Sequence, residues 1–168
     1  NVNIPALENT GNTDLERRIN YEILTRMNEE VEEAKQRAAD YRQAILDTGG
    51  TEDDFWPIDI DLDYEIHCSN AEIVSFVITK SEAAANYYVE QYFYNIDLRT
   101  GQELDLRHML GDDFAAVISR QVRAAIAKET AEDENALYFD EAGEVIDNVP
   151  ADHNFYIDED GHVVVVFD

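Results

Sequence analysis

The 168 residues are 45% apolar and 10% aromatic, enough for a packed core in a chain of about one domain's length. Thirty-eight Asp and Glu against twelve Lys and Arg leave a net charge of −26. A surface of that sign repels phosphate backbones and anionic lipid, which excludes nucleic-acid binding and favours basic proteins or cations as partners.

A single cysteine, Cys68, rules out an internal disulfide and supplies no second thiolate for a structural zinc site. No apolar run reaches the ~18 residues that span a bilayer, so any membrane attachment belongs to an anchor outside this sequence. The sequence opens on Asn1 and closes on an apolar strand. Both ends are expected to be those of a fragment, a single α+β domain over 1–168 within a longer exported or membrane-anchored protein.

The first predicted element is a long helix. Asn12, Thr13 or Asp14 caps it, and Leu15, Ile19, Ile23, Met27, Val31, Ala34, Ala38, Tyr41 and Ile45 recur at three- and four-residue spacing. Its apolar stripe thins to alanine in the second half, and Gly49-Gly50 ends it. Six of the twelve basic residues lie on this element. A helix packed across a sheet is expected, with a heptad coiled coil as the rival.

From Ile58 the period changes to two. Ile58, Ile60, Leu62, Tyr64 and Ile66 alternate with Asp59, Asp61, Asp63, Glu65 and His67, which predicts a strand that is apolar inward and acidic outward. Ile73 to Thr79 and Asn86 to Leu98 read as two further strands of an antiparallel meander. Asp97 to Gly101 predicts a structural turn with positive φ at Gly101. A second helix, Asp113 to Lys128, presents Phe114, Val117, Ile118, Val122, Ala125 and Ile126 inward. An acidic stretch containing Leu137, Tyr138, Phe139, Val145, Ile146 and Val149 runs to Pro150 and has room for a short helical turn. The chain closes on a hairpin, Asn154 to Ile157 and His162 to Phe167, around Asp158-Glu159-Asp160-Gly161. Both helices are expected on one mainly antiparallel sheet that includes this hairpin, an α+β fold.

Catalytic signatures are missing. The sequence contains no phosphate loop, no Gly-x-Ser-x-Gly, no His-Glu-x-x-His and no Cys-x-x-Cys. His67, His108, His153 and His162 are scattered and read as surface or turn residues, and Cys68 reads as a buried thiol. An EF-hand ending its acidic half at Gly161 fails, because Tyr156 and Phe167 occupy positions that need oxygen ligands. With so many carboxylates, no acid–base pair stands out. No metal or cofactor is expected.

The candidate binding residues are the carboxylate row Asp59, Asp61, Asp63 and Glu65. The row reads as a docking strip for a cationic partner, as a calcium site, or as a solvated face neutralised by nearby bases. Tyr87, Tyr88, Phe93, Tyr92 and Tyr94 put rings on both faces of one strand. One set is expected under a helix; the other forms cross-strand pairs or a recognition surface.

The order of segments carries a resemblance. Ile4-Pro5-Ala6-Leu7 leads to a helix bearing Ile19-Asn20; Asn95-Ile96-Asp97-Leu98-Arg99-Thr100-Gly101 precedes Leu106-Arg107-His108-Met109-Leu110; Phe155-Tyr156-Ile157 and Gly161 to Phe167 close the chain. This resembles the extracytoplasmic domain shared by RsiV-type anti-sigma factors and the accessory region of PdaC-type peptidoglycan deacetylases. In the family the last strand runs on into a Tyr- and Pro-containing segment, whereas this sequence stops at Asp168. The resemblance implies a bacterial envelope location outside the membrane and, for RsiV-type members, lysozyme as a basic protein partner whose binding exposes the receptor to proteolysis. The matching motifs read as structural, so no binding residue is carried over.

Three functions fit these readings. The first is a non-catalytic binding or sensing domain at the envelope. The second is an accessory domain that directs an attached enzyme to a cell-wall component. The third is an acidic mimic of DNA that blocks a basic enzyme.

Overall fold

The computed structural model describes residues 1–84, 86–133, 138 and 142–167. Helix α1 runs over Thr13–Asp47, with the Asn12 side chain accepting from Leu15 N at 3.0 Å as its N-cap. Strands β1 (Asp59–Ser69), β2 (Ile73–Ala83) and β3 (Tyr87–Asp97) form an antiparallel sheet in that order. Short helices α2 (Leu106–Leu110) and α4 (Ala142–Asp147) flank α3 (Phe114–Glu132), and β4 (Phe155–Ile157) pairs with β5 (Val163–Val165) as a hairpin.

Two cores sit on opposite faces of the three-stranded sheet. On one face the α1 stripe Leu15, Ile19, Ile23 and Met27 buries against Leu62, Phe76, Ile78 and Ile96. At ~1.5 Å rise per residue the 35 residues of α1 extend ~52 Å, whereas an eleven-residue strand covers ~36 Å. The helix therefore outruns the sheet. Past Arg37, which pairs with Glu82 at 2.5 Å, its contacts are the Tyr41–Phe55 rings at 5.7 Å and the Arg42–Glu52 ion pair. The alanine-rich half of the stripe is the part with little to cover.

Three sequence expectations change. The alternation of β1 stops at a bulge between Ile66 and Cys68, so Cys68 is buried beside Ser75 on the face away from α1, while Ile66, still paired with Phe76, is 54% exposed. One inserted residue moves every later side chain to the other face. The terminal hairpin does not join the meander; it forms a separate two-stranded sheet, and the last strand ends at Val165. Consequently α3 packs its Phe114 and Ile118 on the hairpin, with Leu106, Val149, Phe155 and Ile157, rather than on the main sheet. Leu137 and Phe139 lie outside the described residues.

The resemblance motifs are structural here. Asn20 clamps the entering chain, accepting from Leu7 N at 2.7 Å and donating to Leu7 O at 2.9 Å. Gly101 takes φ +73°, and a Cβ there would meet Leu15 Cδ1 at 2.5 Å and Arg18 Nη2 at 2.6 Å. Asp97 is partly desolvated, which opposes its charge, but N–H donation from Arg99 and Thr100 prevails and holds the carboxyl below its ordinary range.

Candidate functional site

The register places the carboxylate row on a sheet face with defined neighbours. Directly paired residues share a face, so Asp59–Ala83–Tyr87, Asp61–Ser81–Val89, Asp63–Thr79–Gln91 and Glu65–Val77–Phe93 form four cross-strand rows. This is the face away from α1. Its lower end, at Cys68, Ser75 and Asn95, is buried beneath β4; its upper end is open, with Tyr87 68% and Val89 54% exposed. The result is a column of acids, a middle column of small side chains, and a third column, Tyr87, Val89, Gln91 and Phe93, whose upper two members give exposed apolar contact area. The strip is ~10 Å wide at the usual strand spacing.

The acids are not neutralised by nearby lysines or arginines. Ten of the twelve Lys and Arg make ion pairs, and among the described residues none of those pairs uses Asp59, Asp61, Asp63 or Glu65. Of the other two cations, Arg26 stacks on the Tyr92 ring at 4.4 Å. Arg120 is exposed on α3. Asp63 accepts from Asn3 Nδ2 at 2.8 Å, where Asn1 to Asn3 lie along the outer edge of β1 and the amide of Asn3 bonds Leu62 O. Glu65 lies 3.9 Å from His67, whose ring stacks on Tyr156. The N-terminal ammonium of Asn1 lies 3.6 Å from Asp61 Oδ1, and no Lys or Arg pairs with the row among the described residues. The bases are committed to α1, the sheet's other face and the second core.

The tyrosines divide as the alternation requires. Tyr92 is buried and Tyr94 half-buried under α1, and Tyr94 stacks on Phe76 at 4.9 Å, a cross-strand pair. Tyr87 stands on the acidic face instead. Sequence reasoning missed that Tyr87, Val89 and Gln91 share that face with the aspartates. The available signal was the short β2–β3 connection, which fixes Ala83 opposite Tyr87 and hence the whole register.

Other clusters are occupied structurally. Asp105 Oδ1 caps α2, accepting from His108 N at 2.8 Å, with the His108 ring at 2.7 Å. These contacts hold its carboxyl below the ordinary range, the backbone N–H being the main cause. Glu103 lines the same hollow of about 260 Å³, and burial raises its pKa. Opposed shifts are what acid–base chemistry requires, but Asp105 is already bound to α2. Asp158 accepts from His162 N and Asp160 N and fixes the hairpin turn. Among the described residues no group of three His, Cys, Asp or Glu is placed to hold a metal ion, and no helix is long and apolar enough to cross a membrane.

No family model matches the chain. The chain is similar to the anti-sigma-V factor RsiV of Bacillus subtilis (strain 168). The two are 26% identical over 170 residues, covering 99% of this chain and 55% of RsiV. The chain thus spans about half the length of this relative, and its similarity to RsiV takes in both cores and the acidic face alike.

Proposed function

We propose that this chain is a non-catalytic, extracytoplasmic recognition domain of a bacterial envelope regulator, and that its open sheet face binds a basic protein, with lysozyme the leading partner. The observation that carries the reading is the column Asp59, Asp61, Asp63 and Glu65, which no Lys or Arg pairs with among the described residues, standing beside the exposed Tyr87 and Val89. Carboxylates there draw in a cationic surface, and the aromatic and aliphatic side chains give contact area once it arrives. Similarity to an anti-sigma factor supports a sensing or regulatory role over an enzymatic one.

The test is binding to lysozyme at low and high salt, by calorimetry, for the wild type and for the triple variant Asp59→Asn, Asp61→Asn, Asp63→Asn. The reading expects binding at low salt that weakens as salt rises and weakens further in the variant. No binding at low salt removes lysozyme, and an unaffected triple variant removes this face.

A further inference from the structure

We infer that the upper outer edge of β3, residues 87–93, is a strand-addition site that takes an extended, cationic segment of a partner protein as a further strand of the main sheet. At the foot of this edge Leu104 N donates outward-facing Asn95 O a bond of 2.7 Å, and Asp97 N donates to Gln102 O at 3.0 Å. Leu98 N instead donates to Glu72 O, on the β2 side. Odd-numbered residues of β3 therefore turn their backbone groups outward, and even-numbered ones turn theirs to β2. The β2–β3 register runs from Ile73–Asp97 to Ala83–Tyr87 without a shift, so this phase carries up the whole strand. The N–H and C=O groups of Tyr87, Val89, Gln91 and Phe93 thus point away from the sheet. Among the described residues no strand pairs with them, since the segment around Glu103 covers only the foot of the edge.

Natural edges are blunted by bulges, prolines, lysines and other charges. The opposite edge, β1, has a bulge after Ile66 and a row of acids. Residues 87–93 have none of these devices except one charge, Glu90. They read Tyr-Tyr-Val-Glu-Gln-Tyr-Phe, a strongly strand-forming run, and Tyr87, Tyr88 and Val89 are all exposed. The open stretch is ~20 Å long, the length of an ordinary strand.

The occupant follows from side-chain alternation and charge. A strand added here sets its residues alternately on the two faces of the sheet. Those on the open face lie beside Tyr87 and Val89, which suit apolar side chains. Those on the α1 face lie beside Tyr88, Glu90 and Tyr92. There Glu30 and Glu90 share the single ammonium of Lys80, and Arg26 is stacked on Tyr92. Glu103, opposite Ile96 and so on the same face, stands in line with the added strand. These three carboxylates outnumber the two cations, and a Lys or Arg opposite Glu90 restores the balance. A second copy does the reverse. Antiparallel self-pairing that uses all four outward residues sets Tyr87 against Phe93 and Val89 against Gln91, and hence Glu90 directly against Glu90, between molecules each carrying −26. The inference rests on the reading above for the sign of the partner's charge alone.

An octapeptide alternating Lys and Val is the probe, with amide hydrogen exchange read residue by residue. In the free protein the amides of Tyr88, Glu90 and Tyr92 are expected to be protected, and those of Val89, Gln91 and Phe93 to exchange freely. Saturating peptide is expected to slow exchange at Val89 and Gln91 by about tenfold or more. An analogue N-methylated at its valines loses the donors that face β3, and Gln91→Pro removes an outward N–H without breaking the β2 ladder. Each is expected to weaken binding by about tenfold, as is Glu in place of Lys in the peptide. Absence of binding overturns the inference, and so does equal binding by the N-methylated analogue, which would mean that side chains alone hold the peptide. Protection at Val89 and Gln91 that rises with protein concentration in the absence of peptide assigns the edge to a second copy and overturns it as well. Lysozyme takes no part in this experiment, so failure here leaves the calorimetric test of the acidic column standing, and failure of lysozyme to bind leaves exchange at this edge to be read.

Discussion

Ser75 and Asn95 face each other across β2 and β3 and join the two cores of this protein. Ser75 Oγ donates to Asn95 Oδ1 at 2.7 Å, Asn95 Nδ2 donates to Phe155 O at 2.8 Å, and Ile157 N donates to Ser75 Oγ at 2.8 Å. All three bonds are buried, and they fasten the outer edge of β4 to the face of the main sheet. Ser75→Ala leaves the Ile157 N–H and an Asn95 lone pair without partners, so it should lower stability by ~1–3 kcal/mol, read from urea unfolding. Asn95→Leu should cost at least as much. A neutral result at both positions means that the hairpin is held by its apolar contacts alone.

This pair also explains what the sequence left unread. Helix α1 was legible because its apolar spacing and its Asn12 cap are local, and the meander was legible because alternation and short turns are local too. Ser75 and Asn95, by contrast, look like ordinary solvent-facing positions of strands. Their burial depends on backbone groups 60 and 82 residues further along, which no local pattern announces. The bulge at His67 was hidden for a similar reason, since Ile66 continues the apolar alternation and only pairing with β2 shows the extra residue. The acidic column of the candidate site was readable from β1 alone; its companions Tyr87 and Val89 needed the register.

Gly101 tests the Asp97 turn. Its positive φ is unfavourable for any other residue, and an added methyl would press on Leu15 and on Arg18, which donates to Gly101 O. Gly101→Ala should therefore lower stability by ~1–2 kcal/mol or more, seen as a lower melting temperature. Unchanged melting would show that the turn relaxes without cost.

Lys80 is a charged residue of the central strand pointing into the helix-covered face, where it pairs with Glu30 at 2.5 Å and Glu90 at 2.7 Å. Burial pulls its pKa down, but bonds to the two carboxylates prevail and hold it above its ordinary value. Glu90 lies below its ordinary range, chiefly because Lys80 donates to it. The depressed Glu90 contributes stability that is complete above its unfolded-state pKa and is lost as pH falls through the folded value. The raised Lys80 contributes stability present below its unfolded-state pKa and lost as pH rises through the folded value. Lys80→Met should lower stability at neutral pH by ~1–2 kcal/mol, the smaller end reflecting the exposure of Glu90. Melting measured against pH should show the wild-type advantage shrinking at both the acidic and the alkaline limit. An advantage constant across pH assigns the loss to packing instead.

The unequal support of α1 predicts unequal opening. Its first half is buried through Leu15, Ile19, Ile23 and Met27, whereas beyond Arg37 its contacts are at the surface. Amide hydrogen exchange should be several-fold or more faster for 38–47 than for 15–34. Uniform protection along the helix would mean that the projecting half is held by contacts other than these.

The open sheet face makes a kinetic prediction that separates charge from contact area. Asp59, Asp61 and Asp63 act at a distance, and their field is screened over ~8 Å at physiological ionic strength. The triple Asn variant should therefore slow association with lysozyme by about tenfold at low salt and flatten its salt dependence, with little change in the dissociation rate. Tyr87 and Val89 act only in contact. Tyr87→Ala should leave association nearly unchanged and speed dissociation by about tenfold, an alanine-truncation cost of ~1–2 kcal/mol at a well-packed position. Tyr87 is exposed in the free protein, so its truncation is not expected to disturb the fold. Surface-based kinetics at two salt concentrations read both effects in one experiment. If the aspartates change dissociation and Tyr87 does not, the acids lie inside the contact and the partner docks on β1 and its edge rather than across the sheet.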